Sequence, residues 1–202
     1  MLLRYIYFIE MNQMILSIDV GSKNMVLCKV QQLNDDPFFS IHYWRLVSCH
    51  KDGANIASTC NECVSMLLNE IHTNGLLDDV DGILIESQPT RNIKMKVLSH
   101  CIQVTFLMIK QNDHFDFTID FADPKTKLKL CQPSPTTRSY LQNKRAAILT
   151  CGVIMDNYKK INGDDEFVRL FNSSKKKDDL ADSLLQALAH MHYRNPYTLV
   201  NC

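Results

Sequence analysis

Apolar residues recur along this chain with two different periods, and the change from one to the other marks out its elements. Met14-Ile15-Leu16-Ser17-Ile18-Asp19-Val20 is a short apolar run ended by Gly21, which predicts a buried strand. After the turn chemistry of Gly21-Ser22-Lys23-Asn24, residues 25–30 resume as a second strand. Asn34-Asp35-Asp36-Pro37 makes another turn before a third strand over 38–48 that carries Tyr43-Trp44. Three strands joined by short turns predict an antiparallel meander. From about 54 to 71 the period becomes helical, with Ile56, Cys60, Cys63, Val64, Leu67, Leu68 and Ile71 in one stripe. Residues 81–86 predict a second short buried strand, 93–110 a helix, and 115–121 a fifth strand by alternation. A basic, turn-rich connection over 125–138 leads to a helix over 140–158 and a short one over 166–171. The last helix begins near Lys176, where Leu180, Leu184 and Leu188 recur at helical spacing.

The order β-β-β-α-β-α-β, then helices, predicts one α/β domain over 14–194, after an apolar leader (1–13) and before an irregular tail (195–202). One helix stands out. Between Val97 and Ile109 it is apolar nearly all round, so it is either central or covered by a partner subunit.

Composition changes this picture little: 46% hydrophobic and 22% charged residues describe an ordinary globule. The 22 basic and 22 acidic residues cancel, so any affinity for a polyanion has to come from how charge is distributed. Eight cysteines could suggest disulfides, but most fall inside periodic apolar segments and no cleavable signal precedes them. They read as reduced thiols of a protein that is not secreted. Cys60-Asn61-Glu62-Cys63 has redox or zinc spacing, yet both thiols lie on the apolar stripe and predict core packing. No apolar run is long enough to span a bilayer, so no membrane partner is expected.

The acids are where chemistry enters. Asp19 lies in a buried strand, where a lone carboxylate is costly unless paired or metal-bound, and the strand over 81–86 also ends in an acid, Glu86. In the last helix Asp182 shares a face with Asp178 or Asp179, three or four residues away. Neighbouring strands ending in Asp19 and Glu86, faced by a helix bearing Asp179 and Asp182, would gather four carboxylates that only cations could neutralise. Hard oxygen donors suit Mg²⁺, with Mn²⁺ able to substitute. Two such ions about 4 Å apart would serve phosphodiester hydrolysis.

Four motifs now carry a resemblance. Ile18-Asp19-Val20-Gly21-Ser22-Lys23-Asn24, Ile85-Glu86-Ser87-Gln88-Pro89-Thr90-Arg91, Asn143-Lys144-Arg145-Ala146 and Lys177-Asp178-Asp179-Leu180-Ala181-Asp182-Ser183 occur in that order. Together they resemble the RuvC-type Holliday junction resolvases of the ribonuclease H-like superfamily, in particular the poxvirus and large-DNA-virus branch. The resemblance implies a five-stranded mixed sheet, three strands antiparallel and then two parallel, flanked by helices. It implies Asp19, Glu86, Asp179 and Asp182 as ligands of two Mg²⁺ ions and Lys144 as a catalytic cation at the scissile phosphate. It favours Asp179 over Asp178, which is then left as a helix cap. It also implies a homodimer, formed through the 97–109 helix, that nicks opposed strands of a four-way DNA junction. The setting it implies is viral recombination and concatemer resolution, at the cytoplasmic or nuclear site of viral DNA replication. No small-molecule cofactor is expected.

The basic residues cluster in segments flanking the four acids, and Gln88, Arg91, Lys94, Lys96, Lys125, Arg138, Arg145, Lys176 and Lys177 are the candidate DNA contacts. Lys127 and Lys129 read individually as part of a solvated face. The rival readings are a nuclease of the same fold acting on RNA or RNA–DNA hybrid, and a non-catalytic protein that binds branched DNA. A sugar-kinase or actin-like ATPase would need a second glycine loop and a much longer chain.

Overall fold

The strand at the centre of the sheet is β1 (Met14–Asp19), and its alternation sorts the whole molecule. In this computed structural model, which describes residues 12–34, 38–49, 55–131, 139–163 and 165–194, Leu16, Ile18 and Val20 face one helical layer. Ile15 faces the other, and by strand alternation Ser17 and Asp19 share its side. Gly21 turns the chain back; a Cβ there would lie 2.1 Å from the Asn24 carbonyl oxygen. β2 (Asn24–Gln32) and β3 (Phe39–Ser48) complete the predicted meander. After α1 (Ile56–Asn74), β4 (Gly82–Glu86) pairs parallel to β1, with Ile18 opposite Ile85. α2 (Ile93–Asp113) then leads to β5 (Thr118–Ala122), parallel to β4, with Glu86 opposite Ala122. The order β3-β2-β1-β4-β5 is the five-stranded mixed sheet expected from the sequence.

β5 starts three residues later than alternation predicts. Phe115 and Phe117 belong instead to the hydrophobic cluster on the α2 side, where the Phe117 ring meets Phe106 edge-on. The Lys110 ammonium donates to the Phe117 carbonyl at 2.6 Å, which stitches the end of α2 to that segment. The chain continues through α3 (Pro124–Leu128), α4 (Tyr140–Asn162), α5 (Glu166–Ser173) and α6 (Lys177–Arg194).

α1 and α2 cover one face of the sheet and α6 the other, with α4 and α5 packed outside α6. The central helix is therefore α6, whose residues from Leu180 to Ala189 are all buried except Asp182. α2 is not central. It buries Leu98, Ile102 and Phe106 but exposes Ile93, Val97, Val104, Leu107 and Met108. The described cysteines are free thiols, and Cys60 and Cys63 lie in the core as the stripe predicted. No helix among the described residues is long and apolar enough to cross a membrane. The leader through Met11 and the tail from Asn195 lie outside the described residues.

Candidate active site

Asp19 and Glu86 end adjacent parallel strands, and both project toward α6 because they lie an even number of residues from Ile15 and Leu84. In open α/β sheets this carboxyl end is where ligands bind. Asp182, on the face that α6 turns to the sheet, comes down beside them.

A buried polar layer one step below the acids fixes this approach. Ser17 donates through Oγ to the Ser183 carbonyl at 2.8 Å. The Gln186 Nε2 donates to Ser17 Oγ at 3.1 Å, with longer contacts to the carbonyls of Leu84 at 3.3 Å and Ile18 at 3.4 Å. Trp44 Nε1 reaches Ser183 Oγ at 3.1 Å. The layer thus ties α6 to both acid-bearing strands, and unsatisfied groups at such depth would each cost about 1–3 kcal/mol. None of these polar residues carried a sequence signal of its own, because a Ser or Gln inside an apolar period reads as an interruption.

The acids meet a cation that the sequence reading assigned elsewhere. Lys127, read there as part of a solvated face, is only 5% exposed. Its ammonium lies 2.8 Å from Glu86 Oε1 and 2.9 Å from Asp182 Oδ2. The reason is local: Asp123 caps α3 and Pro124 occupies its first turn, so Lys127 points inward while Lys125 and Lys129 point to solvent. Asp-Pro after a strand is a helix-start signal, and pairing of Ala122 with Glu86 obliges the following turn to pass the acid pocket. The helix start is legible in the sequence, but the pairing that brings Lys127 to the acids is a relation between strands that the structure alone supplies.

Electrostatics follow from this packing. Burial, then the neighbouring Glu86 carboxylate, pushes the Asp19 carboxyl well above the usual carboxylate range, and the two are hydrogen-bonded to one another. Burial also acts on Glu86, but the Lys127 ammonium overrides it and holds Glu86 below its ordinary value. Of the two, Asp19 holds a proton the more readily. Asp182 is raised by burial despite Lys127. Burial opposes the charge on Lys127, yet the surrounding carboxylates win and raise it.

A pH effect with a definite sign results. The contribution of a raised carboxyl is fully present below its ordinary value of 3.8 and is lost as pH rises through the raised value. Asp19→Asn should thus raise Tm in chelator by a few degrees at pH 7 and by much less at pH 4. Calorimetry giving equal gains at both pH values would contradict this.

Asp179 is half-buried at the rim, raised by burial and then by Asp178, with Lys176 Nζ 3.8 Å from its Oδ2. Asp178, expected as a cap, instead holds the Lys144 ammonium at 2.5 Å. Burial pushes the Asp178 carboxyl up, but Lys144 overrides it and holds it below its ordinary value, while Lys144 itself is raised. Lys144 thus sits one residue out from the pocket, and Lys127 within it.

The other candidates ring this end of the sheet. Gln88 donates to Glu86 Oε2 at 3.3 Å. Arg91, Lys94 and Lys96 are exposed around the start of α2, and Lys125, Arg145 and Lys176 are exposed on α3, on α4 and just before α6. The Lys177 ammonium lies over the Phe171 ring, 5.6 Å from its centre. Arg138 lies outside the described residues.

Among the described residues no three acidic, Cys or His side chains are spaced to hold an ion as they stand, since Lys127 fills the space between the carboxylates. The donor set nevertheless fits a hard divalent cation. Three half-buried carboxyls crowd around one ammonium, and burial and mutual repulsion hold the Asp19 carboxyl above its ordinary range.

No protein-family model and no curated protein sequence matches the chain. Solved structures do. The Thermus thermophilus RuvC structure superposes with a TM-score of 0.59 at 14% identity, covering 92% of this chain and 98% of that one. The fowlpox virus resolvase in complex with Holliday junction DNA gives 0.57 at 16%, covering 91% and 99%. The yeast mitochondrial Holliday junction resolvase gives 0.57 at 18%, covering 96% and 86%. At these identities the likeness is one of fold, and the fold is the ribonuclease H-like one of RuvC.

Proposed function

We propose that this protein is a Mg²⁺-dependent, structure-selective endodeoxyribonuclease that resolves four-way DNA junctions by paired phosphodiester hydrolysis. The observation that supports it most is the meeting of Asp19, Glu86 and Asp182, from three elements far apart in sequence, in one pocket at the carboxyl end of the sheet. A fold shared with structures of resolvases, one of them bound to junction DNA, supports the choice of substrate. The viral setting, in genome recombination and concatemer resolution at the replication site, is part of the same proposal and leans on the fowlpox likeness.

Asp19, Glu86 and Asp182, with Asp179 at the rim, would hold the cation, and Asp19 would release its proton as positive charge enters. When bound, Mg²⁺ (or Mn²⁺), as one ion or a pair, supplies activation of the attacking water and stabilisation of the leaving oxygen. The chain's own residues do the rest. Gln88 orients Glu86, and the Ser17–Ser183–Gln186 layer keeps the acids from drifting apart. Lys127 and Lys144 present fixed positive charge where the phosphate gains negative charge. The exposed cations on α2, α3, α4 and before α6 steer the DNA backbone toward that end.

Lys144 depends on Asp178 for its place, and a double-mutant cycle reads that dependence. Lys144→Ala and Asp178→Asn should each lower the single-turnover rate by about 10²-fold, the scale of one lost electrostatic contact. The double variant should fall no further. Fully additive losses would mean the two act separately.

Paired nicks on a junction need two sites related by a two-fold axis, and this chain carries one set of acids. A homodimer joined through the exposed apolar edge of α2 supplies the second. Leu107→Asp or Met108→Lys should give a folded monomer in sedimentation that nicks one strand and loses paired incision. Parent protein that stays monomeric at micromolar concentration, alone and on the junction, would contradict the dimer.

A further inference from the structure

Between α1 and α2, on the face of the sheet away from the acid pocket, lies an open groove of about 770 Å³. Val64, Val97 and Val104 make its walls, and Cys60, His100 and Cys101 also line it. Cys60 is nearly buried, at 8% exposure, while Cys101 is half-exposed. The two thiols come from different, mutually packed helices, line the same groove and are close enough to influence one another's charge. Cys49 and Cys63, a second pair of neighbouring thiols, are buried and do not line the groove. The groove therefore gives reagents access to one thiol pair and not to the other.

We propose that Cys60 and Cys101 are a modification site at which a small disulfide, of the oxidised glutathione class, is exchanged for an intramolecular disulfide joining α1 to α2. Cys101, which a reagent meets first, attacks one sulfur of the small disulfide; that S–S bond breaks, and the departing thiolate takes up a proton. Cys60 then attacks the Cys101 sulfur of the mixed disulfide, its own proton passing to the second departing thiolate. The protein loses two electrons and two hydrogens, and the small disulfide becomes two thiols.

The roles follow from exposure and charge. Burial, then the Cys101 neighbour, pushes the Cys60 thiol up to about 11, so at neutral pH it is protonated and acts only on a sulfur already held against it. Closure has to bring the two sulfurs to a bond length of about 2.05 Å, an approach of two helices already packed on one another. Val97 and Val104, which line this groove, belong also to the apolar edge proposed above to join two copies. The bridge would thus stiffen the floor of that face, a consequence that rests on the dimer reading. The disulfide itself does not.

The test is to treat the native full-length protein with oxidised glutathione and to follow intact mass and linked peptides. The expected product has lost two hydrogens, carries a Cys60–Cys101 link, and returns to the starting mass with dithiothreitol. Cys60→Ser should instead keep a stable glutathione adduct on Cys101, whereas Cys101→Ser should leave Cys60 unmodified. A protein that accumulates the adduct without closing, that links through Cys49, Cys63 or Cys202, or that reacts neither as the parent nor as Leu107→Asp, in which no second copy covers the groove, overturns the proposal. Because mapping is done on the parent chain as well, misfolding of a variant alone cannot decide the outcome. Formation of the link in a protein that sediments only as a monomer would refute the dimer and leave this site standing.

Discussion

Asp19→Asn, Glu86→Gln and Asp182→Asn should each reduce junction cleavage by at least about 10²- to 10³-fold, the scale of one lost group that stabilises transition-state charge. Each substitution keeps the shape of the side chain and removes one ionisable carboxyl, and so one anionic oxygen donor for a cation, from a crowded pocket. Folding should survive in all three, and for Asp19→Asn the metal-free protein should gain stability. Junction affinity should hold as well, since the exposed cations around the pocket are untouched. Asp179→Asn belongs with them if the rim closes on the ion, its present contact with Lys176 being a loose 3.8 Å. The measurement is single-turnover cleavage at saturating protein, beside a binding isotherm on the same junction. An Asp182→Asn protein cutting within a few-fold of the parent would remove the helix acid from the site, and with it the reading of α6.

Lys127→Met should produce the largest change in stability. The methionine keeps the length of the stem but leaves Glu86, Asp182 and Asp19 without their ammonium. Breaking a buried ion pair by removing one partner costs about 3–5 kcal/mol, because the remaining charge stays buried and uncompensated. For a chain of this size that corresponds to a fall in Tm of roughly 10 °C in chelator. Mg²⁺ should restore more of the loss in Lys127→Met than it adds to the parent, since the cation then enters a pocket with no competing ammonium. Cleavage should remain impaired even at saturating Mg²⁺. A Tm unchanged by the substitution would mean that Lys127 is not the pocket's counter-charge.

The features legible in the sequence are those in which one residue breaks a strong period. Asp19 and Glu86 interrupt short apolar runs, so the cost of burying them is visible in the chain itself, and alternation puts them on one face. Asp182 is visible because it falls among leucines at helical spacing. Lys127 is not, because its burial depends on where β5 ends relative to Glu86, a relation between strands rather than within one. The pairing of Asp178 with Lys144 joins the starts of two helices 34 residues apart, and spacing along one helix cannot show that. The α2 helix teaches the opposite lesson. Its uniform apolarity is plain, but whether it is central or partner-facing depends on the position of α6.

The central claim is that these acids and lysines make a nuclease for branched DNA, and one assay bears on it most directly. Purified full-length protein is incubated with a mobile four-way junction and Mg²⁺, beside linear duplex, an RNA–DNA hybrid, and the same junction in chelator. The account predicts paired, symmetrically placed nicks that convert the junction to nicked duplexes, no cleavage in chelator, and little on duplex or hybrid. Hybrid cut as readily as the junction, or a junction bound tightly and left intact with Mg²⁺ present, would contradict it.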